Sequence, residues 1–131
     1  MSKQAKTLTA AELRRALDYV ATRRHAARNR AMLMSMYLAG LRVGECAALT
    51  YGDVVDGEGA VRDEIRLTPE QTKGRHARVV FVSERLRKEL TSYVRAHPSG
   101  DHSRRLFYTQ KRGAVGFTAN TLCQHFFYLF R

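Results

Sequence analysis

The chain has 131 residues, 44% of them hydrophobic, and it carries 23 Lys and Arg against 12 Asp and Glu. Its length suits one domain with a single core, and its apolar content excludes a disordered chain. The formal net charge of +11 favours a polyanionic partner, with nucleic acid first and a membrane surface second. No long apolar span or signal-peptide pattern supports the membrane alternative.

The first predicted helix begins at a capping box. Residues 9–12 are Thr-Ala-Ala-Glu, a spacing at which each polar side chain can bond the other residue's backbone N–H. Apolar residues then recur at helical spacing at Leu13, Leu17 and Val20, which predicts an amphipathic helix.

Two more helices are predicted in the next part of the chain. An apolar stripe over residues 29–38 predicts the second helix, and Gly40 is placed to end it. The arginine-rich cluster 23–30 predicts a polar junction or the solvated start of that helix. Apolar residues after Gly40 predict a short third helix from about Val43 to Thr50.

The middle of the chain carries loop and strand signals. The acidic, glycine-containing stretch 51–64 predicts a loop with one short strand at most. Residues 65–67 and 78–82 are rich in β-branched and aromatic side chains, which predicts two strands. Pro69 and Gly74 mark the connection between these strands.

The last part of the chain returns to helix. Ser83 can cap a fourth helix, which Pro98 must end. Residues 106–108 predict a short extended segment, and Thr118 opens a last helix. The order of elements predicts an α+β fold, mainly α, with a helical part beside a small antiparallel β-sheet.

Cysteine and histidine give no indication of a metal or nucleotide site. Cys46 and Cys123 lie in apolar surroundings and form no C-x-x-C pair, which predicts buried free thiols. The five histidines lack ligand spacing, and residues 57–60 lack the lysine of a phosphate-binding loop. We therefore expect no metal and no cofactor.

Arg42 is the first candidate functional residue, because it is a permanent cation within the otherwise apolar run 39–49. Burying such a charge costs roughly several kcal/mol unless a partner neutralises it. Glu45 follows three residues later and can reach the Arg42 guanidinium across one helical turn. A local ion pair and a clamp for two phosphate oxygens both fit this pattern.

A helix-turn-helix is a further alternative for residues 36–49. In that motif the second helix presents polar side chains to base edges. Here the second helix would present Cys46, Ala47, Ala48 and Leu49. These apolar residues are poor readers of bases, so a transcription factor is the weaker hypothesis.

Lys73 is the second candidate, beside Gly74 in the predicted hairpin. In most proteins a lysine at this position is a solvated turn residue. Its ammonium can also reach a DNA backbone and donate a proton to a departing oxygen. Arg75, His76 and Arg78 extend the positive charge and would add phosphate contacts without sequence preference.

Four blocks of the sequence resemble, in order and spacing, the catalytic domain of the tyrosine recombinase (phage integrase) family. The blocks are residues 8–20, 28–54, 72–94 and 106–126. Gly40-Leu41-Arg42 with Glu45 is similar to the family's first arginine motif, and Asp53 matches the acidic residue that follows it. Lys73 matches the family's β-hairpin lysine.

The resemblance implies a role for each matched residue. Arg42 would bind the scissile phosphate of DNA and stabilise the charge that develops as a tyrosine attacks phosphorus. Lys73 would protonate the leaving 5′ oxygen. Glu45 and Asp53 would support them, and this chemistry requires no metal or nucleotide.

Other elements of the family's catalytic set have no match in the printed sequence. The His-x-x-Arg motif, a further His or Trp and the nucleophilic tyrosine are expected beyond the helix that begins at Thr118. The strings His25–Arg28 and His102–Arg105 stand in the wrong order, and Tyr128 follows too closely within an apolar segment. We therefore expect residues 1–131 to be about the first two-thirds of a catalytic domain, without the family's N-terminal core-binding domain.

The main functional hypothesis is a DNA-binding fragment of a site-specific recombinase or integrase. Complete members of the family would cleave and rejoin DNA through a 3′-phosphotyrosyl intermediate, whereas this chain alone is expected to be inactive. The alternative is a non-enzymatic module that binds DNA or a recombinase. Expected partners are double-stranded DNA and other protomers, with self-association through residues 118–131. No membrane is expected, and the expected location is the bacterial cytoplasm at the nucleoid.

Overall fold

The computed structural model describes residues 9–72, 74 and 76–108. Within them lie α1 (Ala10–Ala21), α2 (Ala26–Ala39), α3 (Val43–Ala48), α4 (Tyr51–Val54), β1 (Glu64–Leu67), β2 (Arg78–Phe81) and α5 (Glu84–Ala96), with a 3₁₀ turn at Pro69–Gln71. β1 and β2 pair in an antiparallel two-stranded sheet. The predicted α+β fold, mainly helical with a small antiparallel sheet, is confirmed. The predicted helix from Thr118 lies outside the described residues.

Local sequence signals set three of the helix ends where they were predicted. The Thr9 hydroxyl accepts the Glu12 N–H at 3.1 Å, and the Glu12 carboxylate accepts the Thr9 N–H at 3.0 Å, which completes the capping box. Ser83 caps α5 by accepting the Leu86 N–H at 3.2 Å. Gly40 ends α2 with a φ of 67°, a left-handed conformation that favours glycine.

α2 is the central helix and packs against α1, α3 and α5. Residues 31–35 are all buried, because a helix covered on several sides needs no polar face. α2 begins at Ala26, earlier than predicted. Arg28 and Asn29 in its first turns are buried, and the Arg28 guanidinium donates to the Asn29 side-chain oxygen and to the Tyr108 carbonyl. The arginine-rich cluster is therefore partly internal, contrary to the prediction. We call α1, α2 and α5 the helical body.

The stretch 51–64, predicted as loop, begins instead with the four-residue helix α4. Thr50 caps it by accepting the Asp53 N–H, and the Asp53 carboxylate accepts the Thr50 N–H at 2.9 Å. Val55 and Val61 then pair in an isolated bridge. Four residues are too few for apolar periodicity to reveal a helix.

The extended segment predicted at 106–108 packs against the start of α4. Arg105 pairs with Thr50 in an isolated bridge, and the Leu106 N–H donates to the Leu49 carbonyl at 2.9 Å. Leu106 and Phe107 are completely buried. This segment therefore belongs to the core.

The two-stranded sheet buries one of its faces. Ile65 and Val80 are cross-strand partners and both are buried, whereas Phe81 on the other face is 73% exposed. β1 contacts α4, which connects the sheet to the helices. Among the described residues, no helix combines the length and the apolar character needed to cross a membrane.

Candidate nucleic-acid interface

Arg42 lies in the turn between α2 and α3, where it is the N-cap residue of α3. Leu41 beside it is buried, but Arg42 itself is exposed, because the turn directs it away from the core. The anticipated burial of this cation therefore does not occur. Within the described part of the chain, the Arg42 guanidinium makes no hydrogen bond or ion pair. An unpaired guanidinium on a capped turn is available to an external anion.

Glu45 is the buried acid of this turn and is only 3% exposed. Its Oε1 accepts the backbone N–H of Arg42 at 2.9 Å and Nη2 of Arg78 at 3.0 Å. Glu45 thus fixes the backbone of Arg42, whereas the contact with the Arg42 guanidinium, considered from the spacing, is absent from the described contacts. The i, i+3 spacing could not reveal that a strand supplies a competing arginine.

Arg78 is the first residue of β2 and is partly exposed. The Nη2 atom that bonds Glu45 also donates to the Gly40 carbonyl at 3.0 Å. One guanidinium therefore holds both the end of α2 and the first turn of α3. Arg78 was predicted as a phosphate contact, and the structure shows that part of its bonding capacity is used inside the protein.

Asp53 makes a second connection between the helices and the strand region. Its Oδ2 accepts the Thr50 N–H at 2.9 Å and the Gln71 side-chain amide at 2.7 Å. The same amide donates to the Ala48 carbonyl at 3.1 Å, and the Gln71 Oε1 accepts the Thr68 N–H at 2.9 Å. Gln71 was missed in the sequence, although the Thr68-x-x-Gln71 spacing of a capping box was a signal for it.

Lys73 and Arg75, predicted as DNA contacts, lie outside the described residues. His76 is exposed, and its backbone N–H and carbonyl both bond the Thr72 hydroxyl, at 3.0 and 2.8 Å. Gln71 and Arg78, which flank these positions in sequence, are both bonded to residues of the 40–53 segment. The described structure thus connects both ends of the 71–78 stretch to the segment that carries Arg42.

Cys46 is a buried free thiol, as predicted, and burial raises its pKa, which keeps it protonated and unreactive. Cys123 lies outside the described residues. No group of three or more His, Cys, Asp or Glu side chains in the described part of the chain is arranged to hold a metal ion.

Comparison with known proteins gives a family, a relative and a solved structure. Residues 6–125 match the Phage integrase family. Over 99 residues the chain is 34% identical to Transposase A from transposon Tn554 of Staphylococcus aureus, in strains Mu50 and N315, covering 70% of this chain and 25% of the transposase. The crystal structure of XerA recombinase matches with a TM-score of 0.68 and 24% identity, covering 98% of this chain and 42% of that chain.

These matches extend over different shares of the proteins compared. The chain spans about a quarter of the length of the transposase and less than half of the XerA chain. The structural match shows a shared fold, and the family match covers most of this chain, including the Arg42 turn and the 71–78 stretch. The chain therefore belongs to the phage integrase family, that is, to the tyrosine recombinases.

Proposed function

We propose that this chain is a DNA-binding part of a site-specific recombinase, in which Arg42 binds the scissile phosphate. The observation that carries the proposal is the exposed guanidinium of Arg42, which has no partner among the described residues and lies on a turn whose backbone is held by the buried Glu45. A guanidinium can donate two parallel hydrogen bonds to phosphate oxygens. Because the turn is already ordered, binding loses less conformational entropy than it would on a mobile loop.

The chemical role proposed for Arg42 is electrostatic. When a tyrosine oxygen attacks phosphorus, negative charge grows on the non-bridging oxygens, and a fixed cation beside them lowers the barrier. Lys73 is proposed as the acid that protonates the leaving 5′ oxygen. Asp53 is proposed to assist Lys73, because its carboxylate accepts the side-chain amide of Gln71, two residues before Lys73 in sequence.

The net charge of +11 supplies a second, less specific component of binding. Each phosphate that a Lys or Arg neutralises releases counterions, so affinity depends on salt and not on base sequence. Arg75 is proposed to contribute in this way, and His76 is proposed as a further phosphate contact. The relatives named above are a transposase and a recombinase, which supports a DNA substrate, and we accordingly propose the bacterial cytoplasm at the nucleoid as its location.

Salt-dependent DNA binding tests the proposal. A fluorescent DNA duplex is titrated with the chain over a series of salt concentrations, and log affinity should fall linearly with log salt, by about 0.9 per neutralised phosphate. The Arg42→Gln variant should bind more weakly and lose about one phosphate from this slope. Arg66→Gln is the matched control, because Arg66 is an exposed cation on β1 that pairs with Glu64.

Two results would contradict the proposal. An affinity that does not change with salt would exclude phosphate contacts as its source. Equal losses in Arg42→Gln and Arg66→Gln would show that Arg42 acts only through net charge.

A further inference from the structure

Arg42 and Arg78 are both placed to pair with the buried carboxylate of Glu45. Arg42 is the residue proposed above to bind phosphate. Arg42 precedes Glu45 by three residues, a spacing at which side chains on a helix can pair. Arg78 comes from β2, 33 residues after Glu45 in sequence, and it holds the carboxylate through Nη2 at 3.0 Å. Arg42 contributes only its backbone N–H.

Glu45 needs a cationic partner because it is almost completely removed from water. A buried carboxylate without a partner is strongly unfavourable, so the position of Glu45 favours a nearby guanidinium. Arg78 meets this need and also bonds the Gly40 carbonyl at 3.0 Å. Without Arg78, the remaining guanidinium within one helical turn of Glu45 would be that of Arg42.

The pairing of Arg78 with Glu45 also makes the two arginines differ in their attraction for anions. Arg78 and Glu45 together are neutral, so their attraction for an anion is small. Arg42 keeps its full positive charge and is exposed. A phosphate is therefore drawn to Arg42 rather than to the Arg78–Glu45 pair.

We propose that Arg78 is a positioning residue for Arg42, which it leaves free for phosphate by occupying Glu45. This inference rests on the proposed function of Arg42. Arg78 acts through Glu45 and the Gly40 carbonyl and does not itself bind the phosphate. When Arg78 is absent, the Arg42 side chain turns towards Glu45 and its contribution to DNA binding is lost.

The first test measures coupling in stability and requires no DNA. The free energy of unfolding in urea is compared for the wild type and for variants that carry Arg42→Gln, Glu45→Gln and Arg78→Gln singly, in pairs and all three together. Glu45 and Arg78 should be coupled by about tenfold in the unfolding equilibrium constant, within the range found for paired side chains. Glu45 and the Arg42 side chain should be uncoupled in the wild type and coupled once Arg78 is replaced.

Arg78→Lys keeps the test decisive if Arg78→Gln does not fold. The lysine retains a cation that can pair with Glu45, so the Arg42–Glu45 coupling should stay small in its background. Coupling between Glu45 and the Arg42 side chain in the wild type, or none between Glu45 and Arg78, would overturn the proposal.

The second test measures DNA affinity. Arg78→Gln should weaken binding by about tenfold, the size expected for loss of one charged hydrogen-bond contact. Arg42→Gln with Arg78→Gln should be no weaker than Arg42→Gln alone. Glu45→Gln with Arg78→Gln should bind like Glu45→Gln, because the competing carboxylate is gone. Arg66→Gln serves again as the charge control.

The outcomes distinguish the two proposals. A loss on Arg78→Gln that persists in the Glu45→Gln background would show that Arg78 contacts DNA directly and would overturn the positioning role. If Arg42→Gln binds DNA like the wild type while Glu45 and Arg78 remain coupled in stability, the phosphate role of Arg42 is wrong. The pair is then purely structural.

Discussion

The helical body and the edge that carries Arg42 both bury apolar side chains, but the edge has in addition a set of directional bonds to buried or partly buried carboxylates. In the helical body, α2 is covered by its neighbours, and the contacts are made by completely buried side chains such as Met32, Leu33, Leu86 and Leu90. We call residues 40–53 together with 71–78 the hairpin edge. There, buried apolar side chains such as Leu49 are supplemented by directional bonds to two carboxylates, those of Glu45 and Asp53.

This difference predicts two kinds of mutational effect. Apolar burial is roughly proportional to area and has no preferred direction, so a change in the helical body lowers stability and leaves the geometry of the edge unchanged. A hydrogen bond to a carboxylate fixes a direction and contributes less to stability. A change at the hairpin edge should therefore affect DNA binding as well as folding, whereas a change in the helical body should affect folding alone.

The largest expected effect is on stability, in the helical body. Leu33→Ala removes a completely buried side chain from α2 and should lower the free energy of unfolding by about 3 kcal/mol, measured in urea. The fraction that remains folded should bind DNA normally. Leu38→Ala is the matched control, because Leu38 is only half-buried in the same helix. Equal losses of stability from the two substitutions would contradict the conclusion that α2 is more completely covered at Leu33 than at Leu38.

The next effect is on DNA binding, at the hairpin edge. Asp53→Ala removes the acceptor for the Thr50 N–H and the Gln71 amide, so it should cost about 2 kcal/mol of stability and weaken DNA binding severalfold. Removing any carboxylate also raises the net charge, which by itself strengthens binding.

Asp56→Ala is the control that corrects for this charge effect. Asp56 lies in an exposed turn, where its carboxylate accepts the Glu58 and Ala60 N–H groups, at 2.8 and 3.0 Å. The Asp56→Ala variant should bind DNA as well as the wild type or better. If both aspartate variants bind DNA equally, Asp53 does not position the hairpin edge.

The same contrast explains what the sequence could predict. The capping residues Thr9 and Ser83 and the glycine at Gly40 act within a few residues of themselves, so local rules located the helix ends correctly. The candidate residue Arg42 and its acid Glu45 were found in the same way, from a short motif.

What could not be predicted depends on distant parts of the chain. Arg28 and Asn29 look solvated in sequence, but both are buried, and the carbonyl of Tyr108, which is 80 residues after Arg28, is one of the internal acceptors of its guanidinium. The pairing of Glu45 with Arg78 needs β2 to approach the turn between α2 and α3. Such contacts carry no periodicity or spacing that a sequence displays.

Tyr51 tests the junction between the hairpin edge and the helical body. Its side chain is buried, and its hydroxyl donates to the carbonyl of His97 at the end of α5. Tyr51→Phe should therefore cost about 1 kcal/mol at neutral pH. Tyr19→Phe is the control, because Tyr19 is exposed on α1 and should cost less.

Tyr51 should also make the fold sensitive to alkali. Burial raises its pKa from 10.0 to about 12. The folded state therefore holds the proton more tightly than the unfolded state, so this contribution is complete below pH 10 and is lost as the pH rises towards 12. Tyr51→Phe should lose less stability over that range than the wild type does. An identical alkaline loss in both proteins would show that Tyr51 is not its source.

The smallest effect is expected in the acid range, at the connection between α1 and α2 in the helical body. His25 has a left-handed backbone with a φ of 59°, and its pKa is lowered by burial and by the nearby cations Arg28 and Arg24. The unfolded state therefore binds the proton more readily than the folded state. This contribution is complete above the ordinary pKa of 6.5 and is lost as the pH falls through the lower, folded value.

His25→Asn keeps a residue that tolerates this backbone and removes the titration. Its stability in urea should fall less than that of the wild type from about pH 8 to about pH 5. Parallel curves for the two proteins would mean that other groups cause the acid loss.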